Sequence, residues 1–194
     1  ENQILRQIAP QALEQNDGLF VAINESDLDY RPEFLDSCHS CGIPTTELTA
    51  AQARAFEPAL NPALMLAVRV PDATMDAWRL AMHFFASARA NGADIRPFAE
   101  AVGFQVAGGV VTGVEVRDHR HHTTYVEHAD VVVNAAGPWA GSVAALLGID
   151  LPMKPAPGVM VSVQPRLTGM VINRLHPADE GDIVVPQRNQ SILG

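Results

Sequence analysis

The stretch Val131-Val-Val-Asn-Ala-Ala-Gly-Pro-Trp-Ala140 decides the fold that we predict for this chain. Three β-branched residues without a polar face predict a strand that is buried on both sides. Small residues follow, so another group can lie against the backbone of the turn. Pro138 suits the first turn of a helix, predicted from Trp139 to Leu147 with Gly148 as its stop. A buried strand, a tight turn and a helix N-terminus are typical of a cofactor site.

The same stretch is also compatible with an ordinary strand–turn–helix crossover that binds nothing, because small residues serve close packing as well. The residues alone leave both interpretations open. The G-x-G-x-x-G motif that normally opens a dinucleotide-binding fold does not occur in the sequence. Gly108-Gly109 does not replace it, since a strand rather than a helix is predicted to follow.

The composition limits the class of protein. The chain has 194 residues, of which 47% are hydrophobic, and a formal net charge of −9. The acidic balance argues against binding to nucleic acid and against direct docking on anionic lipid. No apolar run approaches the length of a membrane span. Two cysteines are too few for a disulfide framework and are typical of a reducing cytosol, which predicts a cytoplasmic protein.

Local patterns predict several helices. Thr49 and Gln52 have the spacing of a capping box at the start of a helix. A longer helix is predicted over 77–90, after the cap residue Asp76. Pro32 predicts the first turn of a helix that Asp29 or Tyr30 precedes and that ends at Gly42.

Strands are predicted mainly in the second half of the chain. Gly108-Gly109 is typical of a hairpin turn, and a strand is predicted over 123–133. Shorter strands are predicted near residues 159–163, 170–173, 183–185 and 191–193. The first residue is Glu1 rather than Met, and residues 191–194 are typical of a strand that has only begun, so we expect an internal piece of a longer protein.

Four segments resemble one family. Val131–Ala140 is similar to the late FAD-contacting segment of the superfamily of FAD-dependent amino-acid oxidases and glycerol-3-phosphate dehydrogenases. Three further segments resemble the family of bacterial anaerobic glycerol-3-phosphate dehydrogenase large subunits: Pro155-Ala-Pro-Gly-Val-Met, Val171-Ile-Asn-Arg and Asp182-Ile-Val-Val-Pro. The resemblance covers the whole chain but only the middle of that family's polypeptide.

The resemblance implies a mixed α/β fold, with part of a Rossmann-like FAD-binding domain and part of an antiparallel substrate domain. Residues 1–70 would belong to the cap or substrate domain, 71–148 to the FAD-binding domain and 149–194 to the first strands of the substrate domain. The Gly-rich turn of the family lies upstream of the position that corresponds to Glu1.

The resemblance also implies a reaction. The family oxidises sn-glycerol 3-phosphate to dihydroxyacetone phosphate, with FAD as the hydride acceptor, and passes electrons through partner subunits to a quinone. Such partners would place a cytoplasmic protein peripherally at the inner membrane. Two alternatives stay open: another oxidase of the superfamily that acts on an amino or hydroxy acid, and a non-catalytic α/β interaction module.

The family relationship implies two groups of cofactor-binding residues. Glu100 and Ala101 would contact the adenine of FAD through their backbone and not through the Glu100 carboxylate. The turn residues would form one flank of the FAD site, namely Ala135, Ala136, Gly137 and Trp139. On the residues alone, a solvated strand end is the alternative for Glu100 and Ala101.

Candidate substrate residues follow in the last forty positions. Gly158 and Met160 lie where related dehydrogenases have Lys-Gly-Ser followed by a His or an apolar residue. The departure at Met160 argues against a His general base there, and an apolar wall is the alternative. Arg174 suits a phosphate through two parallel hydrogen bonds, and His176 suits proton exchange with a hydroxyl. The alternative for both is a solvated loop.

No metal site is predicted. Cys38 and Cys41 form only half of a zinc site, and they lie in the last turn of a predicted helix rather than at an activating N-terminus. His119, His121 and His122 lie in a predicted turn between two strands, which favours a surface loop over a cluster of metal ligands.

Overall fold

The computed structural model describes residues 2–177 and 182–194. Two compact units are formed, one by residues 1–88 with 158–194 and the other by residues 89–157. The mixed α/β class expected from the sequence is confirmed. The domain limits expected for the whole protein, at residues 70 and 148, stay a prediction.

The first unit is built on a seven-stranded sheet. Its strands are numbered in chain order, and their spatial order is β3 (Thr46–Thr49), β4 (Leu66–Val70), β2 (Gly18–Ala22), β10 (Val171–Arg174), β11 (Ile183–Gln187), β12 (Gln190–Leu193) and β9 (Val161–Val163). All neighbours are antiparallel except β2 and β10, which run parallel. A separate pair consists of β1 (Leu13–Glu14) and β5 (Thr74–Met75).

The helices of this part are α1 (Asn2–Ile8), α2 (Glu25–Ser40), α3 (Ala50–Phe56) and α4 (Ala77–Ala90), together with a 3-10 turn over Pro10–Ala12. The prediction of a helix over 77–90 is confirmed. The capping box before α3 is confirmed as well, because the Gln52 N–H donates to Thr49 Oγ1 and the Thr49 N–H donates to Gln52 Oε1.

The predicted start of α2 was wrong. The helix begins at Glu25, and Pro32 lies in its interior rather than in its first turn. The side chain of Asn24 accepts the Asp27 N–H at 3.0 Å and so caps the helix. The cap and the acidic first turn favour the earlier start, although Pro32 removes one N–H from the helix.

Alternating residues of β2 separate two apolar clusters, one on each face of the sheet. Leu19 packs with α3 and with β10, while Ala22 packs in the cluster that α2 covers. Each face of the central strands is therefore occupied by helix side chains, which holds β2, β4 and β10 in register.

The second unit contains a three-stranded antiparallel sheet. Its strands are β6 (Ala99–Ala107), β7 (Val110–Asp118) and β8 (Thr123–Glu127). Gly108 and Gly109 both have positive φ and join β6 to β7, so the predicted hairpin is confirmed. A 3-10 turn over Gly137–Trp139 leads into α5 (Ala140–Ala145).

The prediction of a buried strand at Val131–Val133 was wrong for this chain. Strand β8 ends at Glu127, and residues 131–133 pair with no strand of the described chain. Val131 is 76% exposed and Val133 is 79% exposed. A strand needs a neighbour for its N–H and C=O groups, and β-branched side chains alone do not supply one.

Candidate functional site

The small-residue turn forms as predicted, although the strand before it does not. Asn134 bridges the turn, because its Nδ2 donates to the Ala140 carbonyl at 2.9 Å and its Oδ1 accepts the Ala136 N–H at 3.3 Å. Gly137 has a φ of +55°, which favours glycine. From the sequence, Asn134 was considered only as one of the small residues of the turn. An Asn side chain often accepts the backbone N–H two positions further on, and this tendency is the signal that could have predicted the hydrogen bond to Ala136.

A cavity of about 470 Å³ lies beside this turn within the second unit. Three of the predicted cofactor residues line it, namely Ala101, Ala135 and Ala136. Glu100, Gly137 and Trp139 are not in its lining, and the Trp139 side chain is exposed. Asp130 and Asn134 are the polar residues of the lining that the structure describes. The other walls are apolar and come mainly from valines: Phe104, Val110, Val111, Val114, Val131, Val132, Val133, Val143, Ala144, Leu147 and Ile149.

The carboxylate of Glu100 lies beside two basic side chains. Its Oε2 lies 2.7 Å from His119 Nε2 and 3.8 Å from Arg117 Nη1. The backbone of Glu100 belongs to β6, at the strand end where β6 pairs with Arg117 of β7. This arrangement is compatible with the expectation that a cofactor contact at Glu100 uses the backbone.

The residues of this cavity fit a flat, uncharged ring better than a phosphate. No Lys or Arg is found among its described lining residues, and Asp130 is the charged group there. Helix α5 has six residues, which is shorter than the helix predicted from Trp139 to Leu147, and so short a helix does not provide an anion site at its N-terminus. What remains is a surface of alanine and valine side chains, which suits close packing against a ring such as that of a flavin or an adenine.

In the first unit, Arg174 joins two carboxylates. Its Nε lies 3.2 Å from Asp27 Oδ1, and its Nη1 donates to Asp182 Oδ2 at 3.0 Å. Asp27 is only 1% exposed and also accepts the Ile23 N–H at 2.9 Å. The hydrogen bonds to Asp27 and then to Asp182 raise the pKa of the Arg174 guanidinium, which is therefore a fixed cation.

His176 meets the same carboxylate. Its Nε2 lies 3.6 Å from Asp182 Oδ2, and its Nδ1 lies 2.6 Å from the Pro177 carbonyl. Since a carbonyl only accepts, Nδ1 carries the proton and Nε2 faces Asp182. Arg174 and His176, which were predicted as substrate residues, are thus brought together by Asp182. Residues 178–181 of the same loop lie outside the described residues.

The side chains of Met160 and Ile183 lie over the same glycine, Gly194. A β-carbon placed on Gly194 would lie 3.3 Å from Met160 Cε and 3.3 Å from Ile183 Cγ2, so these two side chains lie over the Gly194 backbone. Ile183 follows Asp182 directly. Apart from the adjacent residues, no atom of the described chain lies within 4 Å of a β-carbon placed on Gly158.

A second cavity, of about 560 Å³, opens beside Arg174 in the first unit. Its walls are chiefly aliphatic, with polar groups from Asn61, Thr168, Asn173, Arg174 and Asp182. Thr168 Oγ1 is buried and makes no hydrogen bond to any of the described residues. Asp27 and Thr168 were not predicted from the sequence. The only signal for Asp27 was that acidic residues favour the first turn of a helix.

None of the two cysteines and of His119, His121 and His122 is among the described residues that line the two cavities. Cys38 is buried, and burial raises the pKa of its thiol, whereas Cys41 is exposed. His121 Nδ1 lies 2.7 Å from Asp118 Oδ2. This hydrogen bond is the largest of several causes, with the backbone N–H groups of His121 and Arg120 among them, that lower the pKa of Asp118 to about 2. Within residues 2–177 and 182–194, no three His, Cys, Asp or Glu side chains are grouped as metal ligands. The lack of a metal site stays a prediction.

Helices long and apolar enough to cross a membrane are not found in the described part of the chain.

Comparison with known proteins identifies the family. Residues 2–194 match the family described as FAD dependent oxidoreductase. One subunit of the anaerobic glycerol-3-phosphate dehydrogenase of Escherichia coli strain K12 is 40% identical over 194 residues, which are 100% of this chain and 36% of that protein. The chain thus spans about a third of the length of the curated relatives it matches.

Solved structures agree on the fold. L-proline dehydrogenase from P. horikoshii has a TM-score of 0.83 and 19% identity, over 99% of this chain and 52% of that one. The L-alpha-glycerophosphate oxidase of Mycoplasma pneumoniae, solved with FAD bound, has a TM-score of 0.75 and 16% identity over 94% of this chain and 50% of that one. The match over residues 2–194 shows that the chain belongs to the family of FAD-dependent oxidoreductases.

Proposed function

We propose that this chain is part of an FAD-dependent dehydrogenase that oxidises sn-glycerol 3-phosphate to dihydroxyacetone phosphate. The observation that carries the proposal is the 40% identity to the Escherichia coli anaerobic glycerol-3-phosphate dehydrogenase across all 194 residues. The relatives at under 25% identity support the fold and leave the substrate open. FAD, when bound, supplies the hydride acceptor for the oxidation of a secondary alcohol.

For the second unit, we propose that its small residues hold part of FAD. Ala101, Ala135 and Ala136 would give close contact along the 470 Å³ cavity, and the Glu100 backbone would face the adenine. Gly137 would set the turn, and Trp139 would lie at its outer edge. The charge of the pyrophosphate would be met elsewhere in the whole protein, because no cation is among the described residues that line this cavity.

For the first unit, we propose that Gly158, Met160, Arg174 and His176 border the substrate. Met160 would form an apolar wall beside Ile183. His176 carries its proton on Nδ1, so its Nε2 is the atom that would exchange a proton with a hydroxyl. Arg174 is held rigidly by Asp27 and Asp182, so its remaining donors have a fixed direction.

The Escherichia coli relative is named as one subunit of its dehydrogenase, and this name supports a proposal about partners. We propose that electrons leave through other subunits of a complex towards a quinone, and that such partners hold a cytoplasmic protein at the inner membrane.

The direct test is a dye-linked assay on the whole protein of which this chain is part. We expect reduction of the dye with sn-glycerol 3-phosphate and a flavin spectrum that glycerol 3-phosphate bleaches without oxygen. Glycine, L-proline and lactate serve as controls for the alternative, an amino-acid or hydroxy-acid oxidase. Bleaching by one of these compounds and not by glycerol 3-phosphate would contradict the proposed substrate.

A further inference from the structure

The 560 Å³ cavity beside Arg174 has an unusual balance of charge for a phosphate site. Among the described residues that line the cavity, Arg174 is the positively charged one and Asp182 is the negatively charged one. The guanidinium of Arg174 forms ion pairs with Asp182 and with Asp27. One positive charge thus stands between two negative charges. A phosphate dianion placed here would meet a net negative surrounding, which disfavours its binding.

The uncharged polar groups of the cavity suit a different ligand. Asn61, Thr168 and Asn173 line it together with aliphatic side chains such as Leu60, Leu64 and Ile172. The aliphatic part of the wall matches carbon atoms, and the amide and hydroxyl groups match neutral oxygen atoms.

Thr168 gives a second, independent observation. Its Oγ1 is buried without a hydrogen-bond partner among the described residues. A buried hydroxyl without a partner is costly, and native proteins rarely keep one without a reason. Rotation about the Cα–Cβ bond turns the hydroxyl, and an oxygen atom of a ligand in the cavity would give it the missing bond.

We propose that this cavity binds the uncharged, oxygen-bearing carbon skeleton of a small polyol or ketone, with Thr168 and Arg174 as its hydrogen-bond partners, and that the phosphate of the substrate lies outside it. The inference deepens the proposed function, because glycerol 3-phosphate and dihydroxyacetone phosphate each have such an end. Arg174 then binds a neutral oxygen with the donors that Asp27 and Asp182 leave available, and both carboxylates are positioning residues.

The test uses the whole, FAD-loaded protein and two probes. Dihydroxyacetone represents the uncharged end, and inorganic phosphate represents the charged end. Each is measured as a competitive inhibitor of glycerol 3-phosphate oxidation and, independently of turnover, by the change in melting temperature that it causes.

Thr168→Val is the main variant, because it removes a hydroxyl that has no partner among the described residues and keeps the shape of the side chain. We expect its fold stability to equal or exceed that of the parent, while the dissociation constant of dihydroxyacetone rises about threefold to tenfold, as for one neutral hydrogen bond. Arg174→Lys keeps a positive charge beside Asp27 but loses the planar set of N–H donors of the guanidinium. We expect the dissociation constant of dihydroxyacetone to rise in this variant too. Thr46→Val, on the exposed part of β3, is the matched control and should change neither probe.

Inorganic phosphate should bind the parent, Thr168→Val and Arg174→Lys equally well. Loss of phosphate binding in Arg174→Lys would overturn the inference, and so would equal binding of dihydroxyacetone to the parent and Thr168→Val. Failure of dihydroxyacetone to bind the parent would overturn it too. If the parent binds dihydroxyacetone through Thr168 and does not oxidise glycerol 3-phosphate, the proposed function fails and the chemistry of the cavity stands.

Discussion

Asp27 and Arg174 are 147 positions apart in the sequence, yet the Arg174 Nε lies 3.2 Å from Asp27 Oδ1. The pair joins the first turn of α2 to the end of β10. Because Asp27 is 1% exposed, its charge depends on Arg174 and on the Ile23 N–H for compensation.

Asp27→Asn should lower the free energy of unfolding by about 3 kcal/mol, because it leaves a partly buried guanidinium with one counter-charge fewer. Asp17→Asn is the matched control. Asp17 pairs with Arg69 at a more exposed position of the same unit, so its change should cost at most about 1 kcal/mol. Urea denaturation of both variants measures the difference, and equal losses would show that the Asp27 pair has no special weight.

Gly137→Val should strain the turn before α5. The φ of Gly137 is +55°, a conformation that costs a β-branched residue about 1–2 kcal/mol. Among the described residues, no atom beyond the two chain neighbours lies within 4 Å of a β-carbon placed there, so the cost comes from the backbone and not from a clash. We expect a lower melting temperature and a lower FAD-to-protein ratio in the whole protein.

Gly158→Val is the control for stability in that experiment. A β-carbon added to Gly158 would also meet no atom of the described residues beyond its chain neighbours, but the φ of Gly158 is not positive. The melting temperature of the Gly158→Val variant should stay close to that of the parent. A drop in Gly158→Val as large as that in Gly137→Val would rule out backbone strain as the cause.

His121→Ala should raise the pKa of Asp118 from about 2 towards its usual value, because the hydrogen bond from His121 is the largest cause of the depression. A depressed carboxyl pKa adds stability above the unfolded pKa near 4, and this stability is lost as the pH falls towards 2. Carboxyl chemical shifts in an NMR titration measure the change directly. His122→Ala, in the same turn, is the control and should leave the pKa of Asp118 unchanged.

Cys41 should react with iodoacetamide much faster than Cys38. Burial and the neighbouring Cys41 raise the pKa of the Cys38 thiol, and the thiolate is the reactive form. Mass spectrometry of peptides after short labelling at neutral pH gives the two rates. Faster labelling of Cys38 would contradict the buried placement of this residue.

Local signals in the sequence were sufficient for elements whose causes are local. The Thr49–Gln52 capping box, the Gly108-Gly109 hairpin and the helix over 77–90 each depend on residues within one element or turn, and all three are confirmed. The sequence also indicated Arg174 and His176 as polar residues that follow the strand at Val171, and in the structure Arg174 is the last residue of β10.

Relationships between distant residues could not be predicted in the same way. The Asp27–Arg174 pair and the parallel pairing of β2 with β10 depend on how the chain returns to itself, and no local pattern encodes that. Val131–Val133 shows the opposite case. The residues favour a buried strand, but burial needs neighbouring strands, and the described chain brings none beside them.

The course of residues 131–133 gives the last prediction. The Escherichia coli relative is almost three times as long as this chain. We expect the whole protein to supply further strands that pair with these valines. Val133→Asp should change the melting temperature of the 194-residue chain little, because Val133 is 79% exposed there. In the whole protein the same change should destabilise the fold and release FAD, because a carboxylate would enter a buried strand. Val106→Asp, at an exposed position of β6, is the matched control for both polypeptides. Equal, small effects of Val133→Asp in the two polypeptides would show that these valines stay exposed in the whole protein and that the sequence pattern at this stretch does not indicate a strand.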